Sequence, residues 1–309
     1  MTSAQNRGSV GLAVGALLVA MFCFQTGASL AKQLFPAVGA EGTVALRTGL
    51  SALILIVLWR PWHARLTRNN WQALAVYGAA LGTMNFLFYM ALRTVPLGIA
   101  VALEFSGPLA VTLLSSRRVL DFVWIALALA GLAFLLPLTH AASPLDLRGA
   151  ALALGAGACW GLYIVFGQKA GADHGGHTTM LGSAVAALVV VPFGIAHAGV
   201  GLLQPKIWPY ALMVAALSSA LPYSLEMVAL RSLPTRVFGT LMSLEPAAAA
   251  LMGFLLLREH LTVTQWLAIG AVMLASAGMT LTANAPAKTR GEQANVRRNP
   301  RLPGLAAVP

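Results

Sequence analysis

The sequence predicts an all-α polytopic membrane protein of ten transmembrane helices, built as two inverted five-helix repeats. Three observations predict it. Only 9% of the 309 residues are charged and 58% are hydrophobic, with a mean hydropathy of +0.78. A soluble domain carries roughly 25% charged residues, so this chain can cover a lipid-facing surface but not a water-facing one. Apolar runs of about 20 residues recur along the chain, the length that crosses ~30 Å of hydrocarbon at a rise of ~1.5 Å per residue. Finally, a string from the first half returns in the second.

The runs fall, in order, at 10–31, 41–58, 71–92, 97–115, 121–138, 149–168, 179–197, 207–228, 237–257 and 263–283. Each must be helical, because backbone groups in lipid need partners within their own segment, and none alternates polar with apolar as a barrel strand does. The first run follows Arg7 in the manner of a signal peptide. It is too long for one, reaching Ala31, and further spans follow it, so it is read as an uncleaved first helix.

Loop charges give the runs a direction. With the N-terminus inside, the cytoplasmic side holds Arg7, Arg60, Arg65, Arg68, Arg117, Arg118, Lys169, Arg231, Arg236, Lys288, Arg290, Arg297, Arg298 and Arg301, and the other side holds Lys32, Arg93, Arg148, Lys206 and Arg258. The excess of Lys and Arg predicts that both termini are cytoplasmic. It also accounts for the net charge of +11 without a nucleic-acid partner, for which no recognition motif is present.

The repeat anchors on Ala91-Leu-Arg-Thr-Val-Pro96 and Ala229-Leu-Arg-Ser-Leu-Pro234; Pro108 and Pro246 match at the same offset, and Trp124 and Trp266 open the last span of each half. Five spans per half is an odd number, so the halves enter the membrane in opposite senses. The expected organisation is a cytoplasmic N-terminus at 1–9, repeats at 10–138 and 149–283, and a disordered basic cytoplasmic tail at 284–309, whose composition lacks apolar periodicity. Inverted repeats are a recurrent feature of secondary transporters; duplication without a transport role is the plainer alternative. A single chain carries both halves, so one copy suffices for a pathway, and no oligomeric state is implied.

Enzyme chemistry finds no support. The chain has no phosphate-binding G-x-x-x-x-G-K-[ST] loop and no H-E-x-x-H helix, so neither enzymatic activity nor a cofactor is expected. His174-Gly-Gly-His177 has a metal-like spacing but reads as a solvated turn, and no metal site is assigned. Cys23 and Cys159 lie in apolar runs and read as buried free thiols.

The informative residues are polar groups inside the spans, which are costly in hydrocarbon and face a cavity or a partner. Glu104 lies within span four and Glu245 within span nine, just before Pro246; Arg47 lies in span two and Gln25 in span one. Asn85 and Tyr89, four apart, share a face of span three; Trp160 and Tyr163 share one of span six, as do Tyr223 and Glu226 of span eight. For Glu104 and Glu245 two readings stand: a structural carboxyl paired with Arg47 or bonded to backbone, or a substrate or proton site. For the aromatic residues the alternative is interfacial packing. Pro108, Pro222 and Pro246 each leave a carbonyl without its helix donor, either as a kink or as a ligand near a cavity. Gly78-x-x-x-Gly82 and Gly157-x-x-x-Gly161 are expected at close helix contacts.

The two five-span halves resemble the EamA-type drug/metabolite transporter superfamily. Gly27-Ala-Ser-Leu-Ala-Lys32, Thr94-Val-Pro-Leu-Gly-Ile-Ala-Val-Ala-Leu-Glu-Phe-Ser-Gly-Pro108, Ala153-Leu-Gly-Ala-Gly-Ala-Cys-Trp160, Leu221-Pro-Tyr-Ser-Leu-Glu-Met227 and Leu233-Pro-Thr-Arg-Val-Phe-Gly-Thr-Leu-Met-Ser-Leu-Glu-Pro246 are similar to the bacterial inner-membrane threonine/homoserine exporter group within it. That resemblance spans about residues 12–283 and leaves out the tail. It implies secondary export of threonine, homoserine and related small amino acids across the bacterial inner membrane, with a proton as coupling ion and lipids as the surroundings. An importer, or a carrier of another metabolite or drug on the same scaffold, is the alternative.

Overall fold

The computed structural model describes residues 3–59, 71–115, 119–135, 146–174, 177–222, 225–226, 229, 233 and 235–283. The described residues contain no strand. The helices are α1 (Ser3–Gln33), α2 (Phe35–Trp59), α3 (Trp71–Ala91), α4 (Leu97–Glu104), α5 (Ser106–Ser115), α6 (Val119–Leu135), α7 (Leu147–His174), α8 (Thr178–Ala198), α9 (Trp208–Ala215), α10 (Thr235–Met242), α11 (Glu245–Leu257) and α12 (Val263–Ala283). By length and composition, seven described helical segments are able to cross a membrane, one of them Thr240–Leu257 across α10 and α11, and Leu97–Val111, Phe122–Leu135 and Trp208–Ser218 are shorter apolar segments. Large apolar side chains face outward, among them Leu53 on α2, Phe122 on α6, Leu188 on α8 and Leu267 on α12. Patches of this kind are stable against lipid rather than water.

Three features depart from the expected runs. Span four is divided at Phe105 into α4 and α5, because Pro108 has no N–H to offer the carbonyl of Glu104. Span nine is divided at Ser243–Leu244 into α10 and α11, and Pro246 falls in the first turn of α11, where a missing N–H costs nothing. The second span begins earlier than expected, at Phe35, with a kink at Gly39. The φ of 71° at Gly39 is left-handed and suits glycine, and Thr43 Oγ1 donates to the freed carbonyl of Gly39 at 2.7 Å.

The core is formed where α3 packs on α7 and α8, α2 on α8, α4 on α11, and α6 on α12. Small residues set the closest of these crossings, as in other membrane helix pairs. A Cβ on Gly82 would lie 2.9 Å from the carbonyl of Ala186 on α8, and one on Gly157 would lie 2.6 Å from the carbonyl of Glu104. The carbonyl released by Pro108 thus packs onto α7, which is the kink reading for that proline. Cys23 and Cys159 are free and partly buried.

One end of the bundle is tied by polar contacts between helix termini. Glu259 Oε1 accepts from Lys32 Nζ at 2.7 Å and Glu259 Oε2 from the N–H of Leu97 at 2.7 Å. Glu41 pairs with Arg93 at 3.2 Å and lies 3.5 Å from His197 Nε2. Asp146 accepts from Thr94 Oγ1 at 2.8 Å, and that bond, with the N–H groups of Arg148 and Gly149, holds its carboxyl below the usual carboxylate value.

Candidate functional site

Glu104 ends α4 and Glu245 begins α11, so each intramembrane carboxyl sits at a helix break. The two half-helices that carry them pack against each other. Broken helices are tolerated at membrane depth where they line a cavity. Here they border one of about 340 Å³, at the small end of the ~300–1,000 Å³ usual for small-molecule sites.

The cavity brings together nine of the residues singled out above: Gln25, Arg47, Asn85, Tyr89, Glu104, Trp160, Tyr163, Glu226 and Glu245. Tyr223 lies outside the described residues, as do Gly175 and Gly176 of the His174–His177 turn. The nine come from α1, α2, α3, α4, α7, α11 and the segment after α9.

The cavity has two charged groupings. At one, Arg47 donates from Nε to Ser218 Oγ at 2.9 Å, from Nη2 to the carbonyl of Ser218 at 3.5 Å, and from Nη1 to Asn85 Oδ1. Its guanidinium also lies 5.4 Å from the centre of the Tyr89 ring, within cation–π range. Ser218 sits in a π-helical turn, Ala216–Ala220, which presents its carbonyl to Arg47; such turns mark functional sites in many helices. The other grouping is Glu104, Glu226 and Glu245: Glu104 lies within electrostatic reach of Glu245 and of Arg47, and Glu245 within that of Glu226. Gln25 Nε2 donates to Glu245 Oε1 at 3.2 Å, while Glu245 Oε2 is buried without a partner among the described residues.

Arg47 is therefore not ion-paired with Glu104 or Glu245 among the described residues, which removes the structural pairing as the reason for those carboxyls. Tyr163 stacks on Tyr77, with ring centres 4.8 Å apart, and Trp160 meets Phe105 edge-on at 5.2 Å. These aromatic residues pack and line the cavity at once. Ser218, which orients Arg47, was not foreseen. Its only signal is a hydroxyl pair, Ser218-Ser219, inside an apolar run, and serine is too common in membrane helices to stand out.

The elements that border the cavity also reach the tied end. From Gln25 to Lys32 on α1, and from Glu104 back to Leu97 on α4, is seven residues, or about 10 Å of helix. After α11, Arg258 turns into a left-handed conformation (φ 56°) and the N–H of Glu259 donates to the carbonyl of Gly253 at 3.1 Å. The Glu259 side chain folds back along α11, where a Cβ on Gly253 would lie 2.6 Å from its Oε2. One carboxylate therefore joins α1, α4 and α11. The intervening α4 residues Ile99, Ala100, Ala102 and Leu103 are fully buried.

Residues 147–281 match the model of the EamA-like transporter family. The chain is 56% identical over 290 residues to the threonine/homoserine exporter RhtA of Escherichia coli, covering 94% of this chain and 98% of that one. The protein of the same name in Salmonella typhimurium is 56% identical over 282 residues, covering 91% and 96%. The uncharacterized transporter YwfM of Bacillus subtilis is 28% identical over 266 residues, covering 82% and 87%. A crystal structure at 18% identity shares the fold, with a TM-score of 0.58 over 90% of this chain and 99% of that one. Identity of this degree over nearly the full length of both sequences, together with the match to the family model, means that the chain belongs to the EamA-like transporter family, on the branch that holds the RhtA exporters.

Proposed function

We propose that the chain exports threonine, homoserine and related small amino acids across the bacterial inner membrane, coupled to protons and by alternating access. One observation carries the reading: a cavity of amino-acid size lined by a guanidinium and three carboxyls. A zwitterion needs both counter-charges. The unused N–H groups of Arg47 meet its carboxylate, and the unpartnered Oε2 of Glu245 meets its ammonium group. The names of the relatives favour the same cargo. Threonine efflux from loaded vesicles tests the reading directly. Cells challenged with homoserine separate it from import, because overexpression of an exporter protects and that of an importer sensitises.

Ten spans in two inverted repeats, with both termini cytoplasmic, fit this mechanism. The helix breaks fall in the fourth span and the ninth, the corresponding place in each half, as in repeat-built transporters. On that topology the end tied by Glu259 faces outward, and its contacts close the outer side of the cavity. Replacing Glu259 by glutamine is expected to open it. A cysteine at Ala28, in a background with Cys23 and Cys159 replaced by serine, then reacts several-fold faster with an impermeant thiol reagent added outside. An unchanged rate rules out the closure role.

Glu104 has no hydrogen bond or ion pair among the described residues, yet it feels both Arg47 and Glu245. We assign it the coupling proton. Three carboxyls in one cavity repel when all are ionised, so a proton entering at Glu104 releases the cationic end of the cargo outward. Efflux by Glu104→Gln should lose its dependence on external pH; wild-type rates at every pH would remove Glu104 from coupling.

A further inference from the structure

Two residues that line the cavity each carry a buried polar atom with no protein partner among the described residues: Oε2 of Glu245 and Oη of Tyr89. The first has a task in the reading above, and the second has none. Tyr89 is 1% exposed, packed by Phe35 and Phe88 with ring centres 6.2 and 6.1 Å away. Arg47 lies against its ring and spends its hydrogen bonds on Ser218 and Asn85 rather than on the phenol. An unpaired buried hydroxyl is unfavourable, and a polar group on the cargo would answer it.

A small amino acid brings three polar groups at most. Its carboxylate is served by Arg47 and its ammonium by Glu245, which leaves the group on its side chain. A phenol both donates and accepts. It can therefore satisfy a hydroxyl carried on either the β or the γ carbon, and a methyl group in the same place would leave it unpaired. We propose that Tyr89 determines specificity: its Oη hydrogen-bonds the side-chain hydroxyl of the cargo and selects hydroxylated amino acids over their deoxy analogues. The assignment rests on the export reading. Its logic is that of any site built to bond a hydroxyl, which rejects the ligand that lacks one because its own polar group is then stranded.

L-2-aminobutyrate is the deoxy analogue of both threonine and homoserine, and so one probe serves for both. In liposomes of purified protein, the ratio of kcat/KM for threonine to that for 2-aminobutyrate is expected to fall ~10-fold in Tyr89→Phe, through the loss of threonine transport. The ratio for homoserine should fall alongside it. Because no protein bond is removed, the Tm of Tyr89→Phe without substrate should equal or exceed that of the wild type. Ratios that stay constant while all substrates fall together would place the phenol on the shared carboxylate and overturn the proposal. A lower Tm, or a variant that no longer accumulates, overturns it as well, since the hydroxyl then has a partner within the protein. If wild-type liposomes move neither hydroxy amino acid, the export reading itself fails and the assignment with it.

Discussion

Glu245→Gln is expected to lower threonine efflux by roughly 100-fold or more at equal protein level. The carboxylate is buried, Gln25 orients it through Oε1, and Oε2 has no partner among the described residues. A neutral amide keeps the shape but removes the counter-charge, so a substrate ammonium would enter a desolvated site unpaired. Breaking one side of a buried charge pair costs about 3–5 kcal/mol, or roughly 10²–10⁴ in affinity. The measurement is the initial rate of labelled threonine leaving preloaded vesicles, normalised to immunodetected protein. The loss should appear at every pH, in contrast to Glu104→Gln, where the pH dependence is what changes. Wild-type efflux by Glu245→Gln would show that the ammonium group is met elsewhere.

Gly107→Val is expected to prevent assembly of the helix bundle. A Cβ on Gly107 would fall on the backbone carbonyl of Gly157, and one on Gly157 would lie 2.8 Å from Ser106 Oγ. The obstacle is main chain, which no rotamer change can relieve. α7 cannot retreat either, because it is packed against α3 and α4 as well as α5. Adding a single methylene to a well-packed interior costs about 1–3 kcal/mol; two further methyls against backbone should exceed that range. The readout is the monodisperse peak of detergent-extracted protein on size exclusion, expected to disappear in Gly107→Val and to shrink in Gly107→Ala. Gly270→Ala is the control, since a Cβ there meets nothing within 4 Å. A normal peak from Gly107→Val would mean that α5 and α7 do not cross this closely in the membrane.

Both predictions concern residues whose importance the sequence suggests only in part. Glu245 stands out because a carboxyl is costly in an apolar run. Gly157 stands out through its spacing from Gly161, but the partner that makes it indispensable, Gly107, belongs to no such pair. Glu259 offers less still. It follows the last apolar residues of span nine and, like Lys32, looks like a loop charge that serves only to orient the chain. The bond between them joins positions 227 residues apart, and no local pattern records it.

The sequence by itself determined the material of this protein: helical runs of membrane length and a few polar residues set where hydrocarbon penalises them. These are properties of composition and period, which can be read along one dimension. Tertiary structure alone decided that nine of those residues line a single cavity, that Arg47 is held by Asn85 and Ser218 instead of a glutamate, and that Glu259 gathers α1, α4 and α11 at one end. The physical reason is that burial in lipid is charged to each segment separately. The partner that satisfies a buried polar group comes from wherever packing brings another helix, here from positions 38, 171 or 220 residues away.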